Sequence, residues 1–329
     1  MDFIQSEVYK NSHFIGSRND KILYYDCTNY YFEIEQEDGD KSMGKAKNTD
    51  LIRLYRWACL WMVTAFLLLF TFPGNTNEQK SLKPLEQQVI QDFGCQKFIY
   101  CSDAGLGSES ICNYNHMGER AFIVTQSIKK LPAEDKTWAL DKSGFRRVTD
   151  NKLTDITELS GDDTDLYYKE EPYTPKTLHQ RLIITYSPKY ARYQKSIRDS
   201  QVERAERMIQ SGNTKKQRKN PNDPARFIGT KAVTADGEAA NIHHYLDEDK
   251  VENEALYDGL YAVCTDLLDD DVSDILKVSE GRWQIEECFR ILKQIFCKTS
   301  LSSGRKQDQS TFSYLFSCIT VLPDFREKT

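Results

Sequence analysis

The segment RWQIEECFRILK, residues 282–293, constrains the fold most strongly, because its apolar residues recur at helical spacing. A helix with this pattern must bury one stripe, which consists of Ile285, Phe289, Leu292 and Phe296. On a neighbouring face, Arg282, Glu286 and Lys293 fall within about 40° of one another. A carboxylate flanked by two cations suits a divalent metal held beside a phosphate. The alternative is an ordinary surface helix with an Arg–Glu pair, which the spacing by itself favours.

Composition limits the classes of protein to which this chain can belong. The chain has 329 residues and a formal net charge of −6, so any contact with nucleic acid must use local basic patches. Nine scattered cysteines include no Cys-x-x-Cys pair, which argues against a disulfide framework and a zinc knuckle. The first residues lack the pattern of a signal peptide. We therefore expect a cytoplasmic protein.

The first third of the chain has the alternation of an α/β layer. A short buried strand, KFIYCSD at 97–103, is followed by a helix at about 108–116 and the strand AFIVTQ at 121–126. Residues 22–35 are aromatic and β-branched, with turn-forming residues at 26–29. This pattern predicts a pair of strands joined by a turn.

The middle of the chain has a different character. Polar, strand-like pieces surround one long charged helix at about 188–210, which predicts a strand-rich domain inserted at 127–252. A basic stretch after that helix could follow a DNA backbone or be a solvated helix end; it contains Lys215, Lys216, Arg218 and Lys219. A core strand returns at 257–266, and the core is expected to continue over 253–300.

Three carboxylates from distant segments are candidates for one metal site. Asp26 and Asp103 are expected at strand ends, where side chains reach the crevice that binds ligands, and Glu286 lies on the late helix. Such acids can hold two Mg²⁺ or Mn²⁺ ions about 4 Å apart, which activate a hydroxyl and stabilise the leaving oxygen of a phosphodiester. Oxygen ligands favour Mg²⁺ over zinc. Taken singly, each aspartate fits a turn better, and Asp258, in a DG turn, is a weaker candidate.

Three motifs together resemble the DDE transposases of bacterial insertion sequences. YDCTNYYFE resembles the segment around their first aspartate, and YCSDAGLGSESI resembles the second. SEGRWQIEECFRILK resembles their Y-x2-R-x3-E-x6-K signature. The segments occur in the family's order, and the long insertion before the glutamate is typical of the branch with this signature. The likeness covers about residues 20–300.

The resemblance implies a fold, an activity and a set of site residues. The fold is α/β, a ribonuclease H-like mixed sheet with flanking helices, interrupted by a strand-rich insertion domain. Asp26, Asp103 and Glu286 would be the catalytic, metal-binding triad for two Mg²⁺ or Mn²⁺ ions. Arg282 and Lys293 would contact DNA phosphate. The partners would be transposon ends and target DNA, with a homodimer as the acting form and no stable membrane association.

The chain departs from the family pattern at two places. Ser279 stands where the signature has tyrosine, which would weaken phosphate positioning. Residues 57–72, WACLWMVTAFLLLFTF, are an apolar run where relatives carry a hairpin with a polar turn. Codons for QMGLFMDGDGIPLA, shifted by one base, encode RWACLWMVTAFLL, which matches residues 56–68. We therefore expect about 45–72 to be out of frame, and strand pairing there to be disturbed.

These departures predict a degenerate copy with little or no strand transfer. Residues 1–19 are then the remnant of an N-terminal region, 20–126 begin the catalytic core, and 301–329 are an aberrant tail. Two other functions remain open. The apolar run of 16 residues could anchor a non-catalytic protein in a membrane, although it is shorter than the roughly 20 residues that a helix needs to cross. The core could also be a nuclease without strand transfer.

Overall fold

The computed structural model describes the chain from residue 21 to residue 296 with gaps. The described segments, besides Glu7 and Asn11, are 21–32, 42–45, 51–62, 66–73, 77–160, 162–212, 222–233 and 241–296. For the strands within 28–73 and for the end of the last helix, the description is limited to the backbone. The basic residues Lys215, Lys216, Arg218 and Lys219 and the tail 301–329 therefore lie outside the described residues.

The protein is a mixed α/β protein. Its strands are β1 (Ile22–Phe32), β2 (Ser42–Lys45), β3 (Leu51–Met62), β4 (Phe66–Pro73), β5 (Ile99–Ser102), β6 (Ala121–Thr125), β7 (Arg146–Arg147), β8 (Tyr167–Tyr173), β9 (Gln180–Tyr186), β10 (Ile228–Val233), β11 (Asn241–Leu246) and β12 (Leu260–Thr265). Its helices are α1 (Glu78–Phe93), α2 (Glu109–Asn115), α3 (Ala133–Leu140), α4 (Pro188–Gln210), α5 (Glu248–Ala255), α6 (Val272–Glu280) and α7 (Trp283–Phe296).

The chain divides into two compact units. Unit 1 comprises residues 1–126, 171–182 and 263–329. Unit 2 comprises residues 127–170 and 183–262. Strands β8, β9 and β12 each contribute residues to both units, so the chain passes between the units within regular structure.

The sheet of unit 1 combines antiparallel and parallel pairs around β1. On one side, β1 pairs antiparallel with β3, and β3 pairs antiparallel with β4 and with the short β2. On the other side, β1 runs parallel to β5, and β5 runs parallel to β6. The last residues of β12 pair antiparallel with β6.

Helices cover both faces of this sheet. The Tyr25 hydroxyl forms a 2.7 Å hydrogen bond with the Ser81 hydroxyl on α1. The neighbouring Tyr24 hydroxyl donates instead to the Val278 carbonyl on α6, at 2.8 Å. Because consecutive residues of a strand point to opposite faces, α1 and α6 lie on opposite sides of β1. The buried aromatic rings of Tyr25, Tyr100 and Phe122 fill the core between these layers.

Strand β1 corrects one prediction. The residues predicted to turn, 26–29, lie inside a single strand of 11 residues, so Asp26 is within a strand and not at its end. The pairing with β3 continues through this region, with Asp26 opposite Cys59 and Asn29 opposite Arg56. The continuous pairing with β3 outweighs the weak turn preference of Asp, Cys, Thr and Asn.

The apolar run forms a regular hairpin in the backbone. Residues 57–62 belong to β3 and residues 66–72 to β4, and the two strands pair from Tyr55 with Pro73 to Met62 with Phe66. The expected disturbance of strand pairing was wrong for these residues. Their aromatic and β-branched content suits strands even without a strict alternation of polar and apolar residues. Among the described residues, no helix is long and apolar enough to cross a membrane.

Unit 2 combines strands with the longest helix of the described chain. Helix α4 occupies residues 188–210, as the sequence predicts, and begins where the Ser187 hydroxyl accepts a hydrogen bond from the Tyr190 backbone NH. Strands β10 and β11 form an antiparallel pair, and β7 pairs with β8. Phe145, Tyr167 and Phe227 are fully buried in this unit.

Candidate functional site

The first two predicted acids lie next to each other on parallel strands. The pairing of β1 with β5 matches Ile22 with Ile99 and Tyr24 with Cys101. The same register, continued by two positions, brings Asp26 level with Asp103, which directly follows β5. Neighbouring strands lie about 4.8 Å apart, so this register brings together two acids that are far apart in sequence.

Both acids belong to the face of the sheet that α6 covers. Tyr24 and Cys101 precede them by two residues, and residues two apart on a strand share a face. The Tyr24 hydroxyl and the Cys101 thiol both donate to the Val278 carbonyl, at 2.8 and 3.9 Å. The helix that follows α6 can therefore deliver its side chains beside the two aspartates.

A glycine between the two helices makes this approach possible. Gly281 ends α6, and a Cβ atom at this position would lie 2.1 Å from the Tyr24 hydroxyl oxygen. No larger residue fits without displacing Tyr24 or the helix. Helix α7 begins two residues later and packs against β1, so the glycine sets where Glu286 lies. Sequence reasoning missed Gly281, although a glycine between two helical patterns is a usable signal.

The arginine of the late-helix motif is anchored by a hydrogen bond to strand β6. The Arg282 guanidinium, half-buried, donates through Nη1 to the Thr125 hydroxyl at 3.0 Å. Thr125 is the last residue of β6, the strand beyond β5. This contact, which the sequence did not predict, fixes the guanidinium at the same end of the sheet as Asp103.

The charges of these groups meet at Asp26. The pKa of the Asp26 carboxyl is raised from 3.8 to about 6, mainly by burial, and the Cys27 backbone NH, which donates at 2.8 Å, opposes this shift. The negative charges of Asp103 and Glu286 contribute to the rise, while Arg282 opposes it. The three predicted acids and the predicted arginine therefore lie close enough to interact. Among the described side chains, three carboxylates and one guanidinium interact here, which is an excess of negative charge.

Each aspartate keeps one oxygen available for a ligand. The Oδ1 atom of Asp103 accepts from the backbone NH groups of Gly105 and Leu106, at 3.0 and 3.1 Å, and these contacts orient the carboxylate. The Oδ1 atom of Asp26 accepts from Cys27. Among the described residues, no hydrogen bond to the Oδ2 atom of either aspartate is recorded. Glu286 is exposed at the start of α7.

The donor set suits a hard divalent cation. Carboxylate oxygens are the ligands that Mg²⁺ and Mn²⁺ prefer, and the excess negative charge gives such an ion an electrostatic reason to bind. Within the described part of the chain, no three Asp, Glu, His or Cys side chains already stand in the arrangement of a complete metal site.

The other predicted residues have different surroundings. Lys293 lies on α7, where the description is limited to the backbone. Asp258 belongs to unit 2 and accepts a 2.5 Å hydrogen bond from the buried Arg198, so it serves an ion pair. Ser279 is buried on α6 and supplies no aromatic ring to the site.

No family model matches the chain, and no curated protein matches it.

Proposed function

We propose that the chain is a DDE transposase of an insertion sequence, with a ribonuclease H-like core that cleaves DNA at element ends and joins the freed 3′-hydroxyl to target DNA. One observation carries the proposal: the charges of Asp103 and Glu286 both act on the Asp26 carboxyl. Three acids that the sequence motifs nominate, from three distant segments, therefore share one electrostatic environment. Unrelated turn and surface acids have no reason to converge in this way.

The arrangement of unit 1 supports the ribonuclease H-like core. A mixed sheet with helices on both faces is what the resemblance implies, and β3 and β4 form a hairpin at the place where relatives carry one. The first aspartate lies on the first strand, the second follows β5, and the glutamate lies on the last described helix. These positions match the order of the family's motifs.

The proposed chemistry assigns a role to each group. Asp26, Asp103 and Glu286 would hold Mg²⁺ or Mn²⁺, which would activate the attacking hydroxyl and stabilise the leaving oxygen of the phosphodiester. The Arg282 guanidinium, anchored on Thr125, offers its remaining NH groups to a phosphate oxygen and fixes the orientation of the strand. Binding DNA at this cluster needs the cations, because the carboxylates alone repel phosphate.

One reason to expect an inactive copy was the predicted disturbance of strand pairing, and the regular pairing of β3 removes that reason. The backbone of β3 pairs with β1 over ten residues and with β4 over eight, so the strand that carries Asp26 is regularly paired with β3. The proposed out-of-frame origin of the apolar run is a separate proposal. It predicts that replacing residues 56–68 with QMGLFMDGDGIPL, which has the same length, raises activity because a patterned hairpin packs better.

A cleavage assay tests the proposed function. The purified full chain is incubated with plasmid carrying the gene and its flanking DNA, with Mg²⁺, with Mn²⁺ or with EDTA. We expect breaks with 3′-hydroxyl ends and joined products when a divalent ion is present, and none with Asp26→Asn or Asp103→Asn. Asp92→Asn, which changes an exposed acid of unit 1, is the matched control and should keep the activity. Cleavage without joined products would indicate a nuclease, and cleavage that survives EDTA or both substitutions would refute the proposal.

A further inference from the structure

The long helix of unit 2 has a face that its own unit does not cover. Beyond its first residue, the buried residues of α4 lie on one side; they are Arg198, Gln201 and Ala205. At 100° per residue, six cationic, aromatic or branched apolar residues fall beside that side within an arc of about 100°, which also contains Ser200 and Met208. They are Lys189, Tyr190, Tyr193, Ile197, Arg204 and Arg207. We call this surface the α4 basic–aromatic face.

The apolar members of this face are unusually exposed. Tyr193 is 61% exposed, Tyr190 is 43% exposed and Ile197 is 40% exposed. The two tyrosine rings stack on each other, with centroids 6.3 Å apart and an interplanar angle of 25°. One exposed apolar side chain needs no explanation, but three on successive turns of one helix face indicate a binding surface.

The charges on this face favour an anionic partner. Lys189, Arg204 and Arg207 are exposed, and no ion pair is recorded for them among the described residues. By helical geometry, Asp199 and Glu206 lie outside the face, and Glu203 lies at its edge, four residues before Arg207. In a chain of net charge −6, a surface with three cations and one carboxylate at its edge is a local exception.

We infer that the α4 basic–aromatic face binds single-stranded nucleic acid. Aromatic rings that are exposed on a surface can stack with bases. Bases are available for such stacking only where the duplex is open. Lys189 lies one residue before the tyrosine pair, and Arg204 and Arg207 lie further along the helix, where cations can follow the phosphates. From Tyr190 to Arg207 the helix extends about 25 Å, enough for a segment of several nucleotides.

This binding site is independent of the carboxylate cluster. The face belongs to unit 2, whereas Asp26, Asp103 and Glu286 belong to unit 1. Binding at the face needs no divalent ion, because its cations and rings contact phosphate and bases directly. The two proposals can therefore fail separately.

Fluorescence anisotropy with labelled oligo-dT tests the inference on the full chain in EDTA. The double variant Tyr190→Leu/Tyr193→Leu keeps apolar side chains but removes the stacking rings, and it should weaken binding about tenfold or more. Lys189→Gln/Arg204→Gln/Arg207→Gln should weaken binding and flatten its dependence on salt concentration. Lys195→Gln, an exposed cation of the same helix outside the face, is the matched control and should have little effect.

The outcomes separate the alternatives. Binding by Asp26→Asn equal to that of the original chain supports an independent site. Equal binding by the tyrosine variant and the original chain would overturn the inference, as would a loss in Lys195→Gln as large as in the triple variant. A preference for blunt duplex of equal length would also overturn it, because stacked bases would then be unavailable to the tyrosines.

Discussion

The register of the parallel strands β1 and β5, continued past its last pair, brings Asp26 level with Asp103, and the negative charge of Asp103 adds to the rise that burial causes in the pKa of the Asp26 carboxyl. The acids are 77 positions apart, and the register that pairs Ile22 with Ile99 accounts for their meeting. Two like charges brought together in this way are unfavourable unless a cation lies near them. The arrangement therefore suits ligand binding better than stability.

The first prediction concerns how much the charged Asp26 carboxylate lowers the free energy of unfolding. The folded pKa of Asp26, about 6, lies above its ordinary value of 3.8, so its contribution to stability is present below pH 3.8 and is lost as pH rises through 6. Asp26→Asn removes the charge and keeps the acceptor for Cys27. We expect it to raise the free energy of unfolding by about 2 kcal/mol at pH 7.5.

Urea denaturation in EDTA measures this effect. The gain should disappear near pH 4, where Asp26 is protonated in the folded chain. Asp92→Asn, which changes an exposed acid on α1, serves as the control and should change little. If Asp26→Asn is destabilising at pH 7.5, the excess negative charge inferred for the cluster is wrong.

The second prediction concerns how Arg282 tunes the cluster. Arg282 lowers the pKa of the Asp26 carboxyl, and Asp103 raises it. Arg282→Gln should therefore move this pKa upward, and Asp103→Asn should move it downward, as measured by carboxyl ¹³C NMR titration. Lys277→Gln removes an exposed cation paired with Asp274 and should leave the titration of Asp26 unchanged. Identical midpoints in all these variants would mean that the groups do not interact.

The third prediction concerns the glycine between α6 and α7. In Gly281→Ala, the new Cβ atom would meet the Tyr24 hydroxyl oxygen at 2.1 Å, so we expect a loss of about 1–3 kcal/mol from overpacking. Tyr24→Phe removes the nearest atom, although the ring carbon Cζ remains at 2.8 Å.

A double-mutant cycle checks the origin of this loss. Gly281→Ala should cost less in the Tyr24→Phe background than in the original chain, because part of the overlap is gone. Additive effects of the two substitutions would show that the clash lies elsewhere. Gly94→Ala is a contrasting variant: its φ of 71° disfavours alanine, but no atom lies within 4 Å of the added Cβ.

The fourth prediction concerns a buried pair away from the cluster. Glu86 on α1 is fully buried and accepts a 3.0 Å hydrogen bond from the Asn115 side-chain amide. Burial raises the pKa of Glu86 to about 7 from 4.5, and its Oε2 atom and the Asn115 Oδ1 atom have no partner among the described residues. A proton on Glu86, or an amide in its place, can donate to Asn115.

Glu86→Gln should therefore stabilise the protein only at high pH. The contribution of Glu86 is fully present below pH 4.5 and is lost as pH rises through 7, so the variant should gain about 2 kcal/mol at pH 8.5 and almost nothing at pH 4. Thermal unfolding across this pH range measures the difference. Curves that stay parallel from pH 4 to 8.5 would contradict the prediction.

Local pattern in the sequence predicted the helices well. The long charged segment 188–210 and the apolar periodicity of 282–293 predicted α4 and α7, and the alternation over 97–126 predicted β5, α2 and β6. Helices depend on residues three and four apart, so a short window of sequence contains most of the needed information. The motifs also nominated Asp26, Asp103, Glu286 and Arg282.

Strand pairing and side-chain contacts between segments could be learned only from the tertiary structure. The continuity of β1 through 26–29 and the regular hairpin of β3 and β4 depend on partners distant in sequence, which local preference cannot reveal. The role of Gly281 against Tyr24 and the anchor of Arg282 on Thr125 depend on distances between separate elements.

By itself, then, the sequence determined which acids are candidates and which segments are helical, because both depend on patterns among nearby residues. The tertiary structure decided that those acids meet, because a parallel register joins β1 to β5 and a glycine corner brings α7 onto β1. The physical reason is that a shared site requires long-range packing, whose geometry no single segment contains.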